Sequence, residues 1–350
     1  MNRTRLISVK ASRCYDIHIG EGLLDRVGEY ISHLTLGKKI MIVSDDTVAA
    51  LYLDRLKAAL DNLGYECHSY VFPHGEESKC ADTYLGILSA LASAHFDRSD
   101  SIFALGGGVV GDISGFSAAT YMRGIRYVQI PSTLLSAVDS SVGGKCAIDI
   151  KEGKNLVGAF WQPSAVICDV KLLDTLPKEY FSDGMAEVIK YAMIRSRSLA
   201  DILAGGKAKE RIIDVIEECV RIKRDIVAVD ERDTGLRAIL NFGHTAAHAI
   251  EAESNFSISH GRAVGMGMLM ICEGARKMGL CSEDTVATLR SLMEDYSLTL
   301  ECPYPTEILL PYIKNDKKCK GDSVELVLPR SVGECELRKV AFEKIHDYIG

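Results

Sequence analysis

The chain has 350 residues, 47% of them apolar and 25% charged, enough to bury sizeable cores in about two domains. The apolar share excludes disordered and fibrous classes. The 41 Lys and Arg against 48 Asp and Glu leave a formal charge of −7, which argues against a general nucleic-acid binder with its basic stripe. A local cleft for a small anion stays open.

The 11 cysteines are odd in number and contain no C-x-x-C pair, so a reducing compartment is expected and not a disulfide scaffold. The start, Met1-Asn2-Arg3-Thr4-Arg5, lacks the apolar core of a signal peptide. No run approaches the roughly 18 to 20 apolar residues that span a bilayer. A cytoplasmic protein without membrane or nucleic-acid partners is expected.

Short apolar runs predict strands over 39–44, 66–72, 101–105, 126–130 and 165–170, with a helical pattern from Val48 to about Leu63. The run at 39–44 ends on Asp45-Asp46, and the one at 126–130 stops at Pro131. Strands interleaved with helical spacing imply parallel pairing in an α/β domain. After Leu176-Pro177 the character changes, and strand signals become few. Residues 209–229 place Ile212, Ile213, Val215, Ile216 and Val220 on one side of a helix, and 262–280 is a second long helical segment. The expectation is an α/β domain over 1–176 and an all-α domain over 177–350. A crevice between them would be the default place for a site.

Gly106-Gly107-Gly108-Val109-Val110-Gly111-Asp112 follows the strand at 101–105 and opens a helical pattern through Met122. Gly106, Gly108 and Gly111 meet the G-x-G-x-x-G spacing, which lets backbone N–H groups approach a pyrophosphate. The acid expected about 20 residues on is missing. A merely tight strand-to-helix turn is the alternative; if a dinucleotide binds, Asp45 is a candidate ribose partner. Asp139-Ser140-Ser141-Val142-Gly143-Gly144-Lys145, followed by Lys151, Lys154 and Asn155, reads as a flexible loop able to hold an anion, or as a solvated basic loop.

His244 and His248 are four apart and would share one side of a helix, with His260 close by. The spacing suits zinc or cobalt, although no HExxH glutamate is present, and a polar helix face is the alternative. In Gly184-Met185-Ala186-Glu187-Val188-Ile189-Lys190-Tyr191, Glu187 and Lys190 lie opposite the apolar stripe, as an ordinary solvated pair would. Lys223, Arg237 and Asn241 read as surface residues by themselves.

Six segments in order, GGGVVGDISGFSAATYMRG, VDSSVGGK, GKNLVGAFWQP, GMAEVIKYA, DERDTGLRAILNFGHTAAHAIE and SHGRAVGMGM, closely resemble the 3-dehydroquinate synthases over most of the chain. The resemblance implies a Rossmann-like nucleotide-binding domain followed by a helical metal-binding domain. It implies a lyase of the shikimate pathway that eliminates phosphate from a seven-carbon keto acid phosphate and closes a carbocycle. NAD+ would be regenerated within each turnover, beside one Zn2+ or Co2+.

By motif position the metal ligands would be Glu187, His244 and His260, with His248 contacting substrate instead. Substrate and phosphate contacts would fall to Asp139, Lys145, Asn155, Lys190, Lys223, Arg237, Asn241 and one of Lys317 and Lys318. Arg123 matches an arginine contributed across a homodimer interface. The NAD+ contacts would be Asp45, Glu76, Lys79, Gly108, Val109, Val110, Gly111 and Asp112, then Ser132, Thr133, Lys145, Lys154, Leu172 and Thr175. Two departures are small: Ser132 replaces a commoner threonine, and Asp233 a commoner glutamate. The rival readings are another sugar-phosphate cyclase, a metal-dependent polyol dehydrogenase and a non-catalytic binding protein.

Overall fold

The computed structural model describes residues 4–315 and 322–350. It divides into two compact units, one of Met1–Pro177 with Lys223–Arg232 and one of Lys178–Ile222 with Asp233–Gly350.

The first unit holds strands β1 (Arg5–Val9), β2 (Tyr15–Gly20), β3 (Lys39–Asp45), β4 (Glu66–Phe72), β5 (Ser101–Gly106), β6 (Arg126–Pro131), β7 (Lys145–Ile150), β8 (Gly153–Phe160) and β9 (Ala165–Asp169). Seven of them form one sheet in the order β1-β2-β9-β6-β5-β3-β4. Only β1 and β2 pair antiparallel in it, so the sheet is mixed at one edge and parallel elsewhere. Helices α1 (Val27–Ile31), α2 (Asp46–Asp61), α3 (Ala81–Ser93) and α4 (Gly108–Thr120) complete the unit.

The central strands are apolar throughout because both faces are covered. Ile40, Ile42, Phe103 and Leu105 pack in one core with Leu56 and Leu60 of α2, while Met41, Val43, Ile102 and Ala104 pack in another with Ile87 of α3 and Ile113 of α4. The expected flexible loop over 139–155 is instead a π-helical turn at Ser136–Ser140 followed by the β7–β8 hairpin. Cys146 and Ile148, two residues apart, are buried in the α4 core, and this alternation pins the hairpin.

The second unit holds α5 (Lys178–Arg195), α6 (Arg197–Leu203) and α7 (Ile212–Val229, grouped with the first unit from Lys223 onward). It continues with α8 (His244–Glu253), α9 (His260–Lys277), α10 (Glu283–Asp295) and α11 (Thr306–Asn315), then the hairpin β10 (Ser323–Ser331) and β11 (Glu334–Ala341), and α12 (His346–Ile349). That hairpin corrects the expectation of a purely helical domain. Its signal, buried Val324 and Leu326 around exposed Glu325, is a short alternation in a mostly helical context. Among the described residues, no helix is long and apolar enough to cross a membrane.

α5 is buried without a break from Gly184 to Ile194. It packs against α9, which also packs against α8. Two glycines set these approaches. A Cβ on Gly261 would lie 2.1 Å from the Asp183 carbonyl oxygen of α5, and one on Gly267 2.1 Å from the Gly243 carbonyl oxygen beside α8. Neither backbone can yield by a side-chain rotation, so only glycine permits the contact.

Candidate active site

In the first unit, β3 and β5 are neighbours in the sheet, while the chain runs on from β3 to the edge strand β4 on the other side. Strand order therefore reverses between β3 and β5, and in such sheets ligands bind beyond the carboxyl ends at that reversal. Ser44 pairs with Leu105, which sets Asp45 beside the glycine turn at Gly106. The missing acid of the fingerprint thus has a counterpart on the adjacent strand.

Asp45 caps α2 by accepting from the Val48 N–H at 2.9 Å, and burial raises its carboxyl pKa despite that bond. Gly107 caps α4 without a side-chain acceptor, leaving the first-turn N–H groups to a ligand or solvent. Ser132 N–H donates to the Gly106 carbonyl at 2.9 Å, and the Thr133 hydroxyl lies 2.9 Å from that of Ser136. The Thr175 hydroxyl lies 2.6 Å from that of Tyr52. Val110 and Leu172 bury their side chains in the cores, so any cofactor contact of theirs would be through backbone.

Lys79 gathers several of the remaining residues expected to contact nucleotide or substrate. Its ammonium lies 2.6 Å from Asp112 Oδ2 and donates to Asn155 Oδ1 at 2.6 Å, with Lys154 and Glu76 paired alongside at 3.9 Å. Burial opposes the Lys79 charge, yet Asp112 and Glu76 outweigh it and raise its pKa. Lys79→Met would leave Asp112 without its directly paired cation in a mostly buried position. We expect the denaturation free energy to drop by about 3 kcal/mol, measured by urea titration. Asn155 is reached at φ +54° through its N–H bond to Asp149.

Lys223 donates to the Asp139 side chain at 2.9 Å and to its carbonyl at 2.7 Å. Lys145 opens β7 and is exposed, as is Arg123, which sits at φ +68° directly after Met122 at +49°. Lys317 and Lys318 lie outside the described residues.

In the second unit the expectation of a solvated Glu187–Lys190 pair fails. Both side chains are about 1% exposed, and Lys190 donates to Glu187 Oε2. Lys223 of the first unit and Arg237 of the second, both read as surface residues, are 6% and 2% exposed. Charged side chains so buried must be paired or serve a ligand.

Glu187 Oε1 lies 3.4 Å from Nε2 of His244 and 3.4 Å from Nε2 of His260. His244 and His260 are the first residues of α8 and α9, placed by the Gly267 and Gly261 contacts with their neighbours. Asp183 of α5 further fixes the start of α9 by accepting from the Ser259 hydroxyl and the Arg262 N–H. His248 is exposed and stacks edge-on against His244, with ring centroids 5.8 Å apart, outside the trio.

The trio passes a test for a divalent ion. Ligands at roughly 2.0–2.1 Å from a tetrahedral ion stand about 3.3–3.4 Å apart, which matches the two separations from Glu187 Oε1, and all three ligand atoms lie within 4.8 Å of one another. The far nitrogens are also held: His244 Nδ1 lies 3.1 Å from the Phe242 carbonyl, and His260 Nδ1 lies 3.5 Å from Glu251 Oε2. Such partners turn Nε2 toward a metal. Burial would depress the His260 pKa, but Glu187 and Glu251 outweigh it and lift it to about 10. Two carboxylates around one imidazole favour positive charge there, whether proton or metal ion. Three protein ligands, with the His260 side chain 34% exposed, would leave coordination positions open.

Residues 69–183 match the family described as 3-dehydroquinate synthase N-terminal, and residues 184–319 the one described as 3-dehydroquinate synthase C-terminal. A 3-dehydroquinate synthase of Clostridium acetobutylicum is 41% identical over 341 residues, covering 96% of each chain. The chain belongs to the 3-dehydroquinate synthase family. Among solved structures, a 2-deoxy-scyllo-inosose synthase in complex with carbaglucose-6-phosphate, NAD+ and Co2+ superposes with a TM-score of 0.89 at 26% identity, over 99% of both chains. The 2-epi-5-epi-valiolone synthase of Streptomyces hygroscopicus, with NAD+ and Zn2+ bound, gives 0.86 at 25% identity over 97% of both.

One departure from the family pattern has a local reason. Asp233 adopts φ +58°, a left-handed conformation that aspartate tolerates better than the commoner glutamate. Glu251 was missed in the sequence; its available signal was position, two turns after His244 on the same helix.

Proposed function

We propose that this chain converts 3-deoxy-D-arabino-heptulosonate 7-phosphate into 3-dehydroquinate and phosphate. The observation that carries the reading is the convergence of Glu187, His244 and His260 in a chain of this family. When bound, NAD+ supplies reversible hydride removal and Zn2+ or Co2+ supplies Lewis acidity.

The chain's residues do the remaining work. The α4 N-terminus, Asp45, Glu76, Lys79, Asp112, Lys154 and Thr175 hold the dinucleotide. Arg237 presents a planar two-pronged donor to the substrate carboxylate. Lys145, Lys190, Lys223 and Asn155 offset the charge that grows as phosphate leaves. Asp139, Asn241 and His248 orient hydroxyl groups, and one of Lys317 and Lys318 adds a phosphate contact. Arg123 serves the neighbouring site in a homodimer. All ten described cysteines are free, in keeping with a cytoplasmic enzyme.

With the seven-carbon substrate and catalytic NAD+, the protein should release one phosphate per substrate and accumulate no NADH. A chelator should stop release, and zinc or cobalt should restore it. NADH building up in step with product would mean a polyol dehydrogenase. Turnover only of a sugar phosphate lacking a carboxylate would mean another cyclase, a result at odds with the buried Arg237.

A further inference from the structure

We propose that Glu251 is a positioning residue of the cation site, acting through the His260 ring. The inference rests on the metal reading of Glu187, His244 and His260.

The two histidines of the trio are held differently. His244 is 12% exposed on its side chain and turns Nδ1 to a neutral backbone carbonyl. His260 is 34% exposed, so packing restrains its ring on fewer sides. Its Nδ1 faces a carboxylate instead, that of Glu251, which is itself 7% exposed. The ring thus spans two carboxylates, Glu187 at Nε2 and Glu251 at Nδ1.

With the proton kept on Nδ1 facing Glu251, a cation that displaces the Nε2 proton meets a lone pair aimed at it, and the opposite tautomer would waste that lone pair. The carboxylate also makes the imidazole a stronger donor than a carbonyl could, because charge-assisted contacts are about twice as strong. Glu251 adds a second negative charge next to the trio, where Glu187 is already offset by Lys190. Burying a carboxylate at the far end of α8 is costly unless it serves a charge.

The test is Co2+ binding to the full-length, metal-stripped protein without substrate, read by equilibrium competition and by the d–d absorption of the bound ion. Glu251→Ala should weaken binding by about 10- to 100-fold. Glu251→Gln keeps an acceptor and loses the charge, so it should fall between that variant and the unsubstituted chain. NAD+ affinity should not change in either variant. Unaltered Co2+ affinity and spectrum in both variants would overturn the inference alone. So would weakened Co2+ binding accompanied by an equal loss of NAD+ affinity, the mark of a general structural role. Failure of the unsubstituted chain to take up one Co2+ would overturn the metal reading, and this inference with it.

Discussion

His260→Ala should lose the divalent ion on dialysis and slow phosphate release by at least about 10³-fold. Lewis-acid stabilisation is worth several kcal/mol, and each 1.4 kcal/mol or so is a factor of ten. His260 supplies one of the two nitrogens that stand 3.4 Å from Glu187 Oε1, and two remaining ligands hold an ion poorly. His248→Ala is the matched comparison. Its ring touches His244 yet lies outside the trio, so the rate should fall while metal content stays at one per chain. Metal analysis after gel filtration, run beside the phosphate assay, separates the two. Full metal content and rate in the His260 variant would remove that residue from the ligand set.

Lys190→Met should have the second-largest effect, with opposite consequences for binding and turnover. Methionine fills a similar volume without the ammonium, so the buried Glu187 loses the cation bonded to its Oε2 and keeps only the imidazoles 3.4 Å from its Oε1. Removing one partner of a buried pair costs about 3–5 kcal/mol, and the metal-free variant should melt correspondingly early. A bound divalent ion would take over the neutralisation, so zinc should raise the melting temperature of the variant more than that of the unsubstituted chain. Turnover should still fall by about 10²-fold or more, because on the proposed function this cation offsets the developing charge. Calorimetry with and without zinc, beside the phosphate assay, checks both halves. A variant that melts normally without metal would show that the ammonium does not compensate Glu187.

Much of the fold was legible because its signals are local. The runs at 39–44, 66–72 and 101–105 match β3, β4 and β5 within a residue. A strand covered on both faces must be apolar at consecutive positions, whatever lies around it. The β7–β8 and β10–β11 hairpins were harder, since each carries only a few alternating positions beside charged or glycine-rich stretches. The candidate site was legible as six segments with a known resemblance. Residue patterns taken alone favoured a solvated face for Glu187 and Lys190, because a charged pair three residues apart looks the same on either side of a helix.

The amino-acid order by itself determined the alternation of strands and helices, the glycine turn after the strand at 101–105 and the stock of imidazoles and lysines. Those properties depend on neighbours within a few residues. Tertiary structure alone decided that Asp45 stands beside Gly106, that Glu187 faces His244 and His260, and that Glu251 backs His260. Each of these depends on which strands pair and how closely α5, α8 and α9 approach. That approach is set by backbone contacts at Gly261 and Gly267, which no local periodicity reveals.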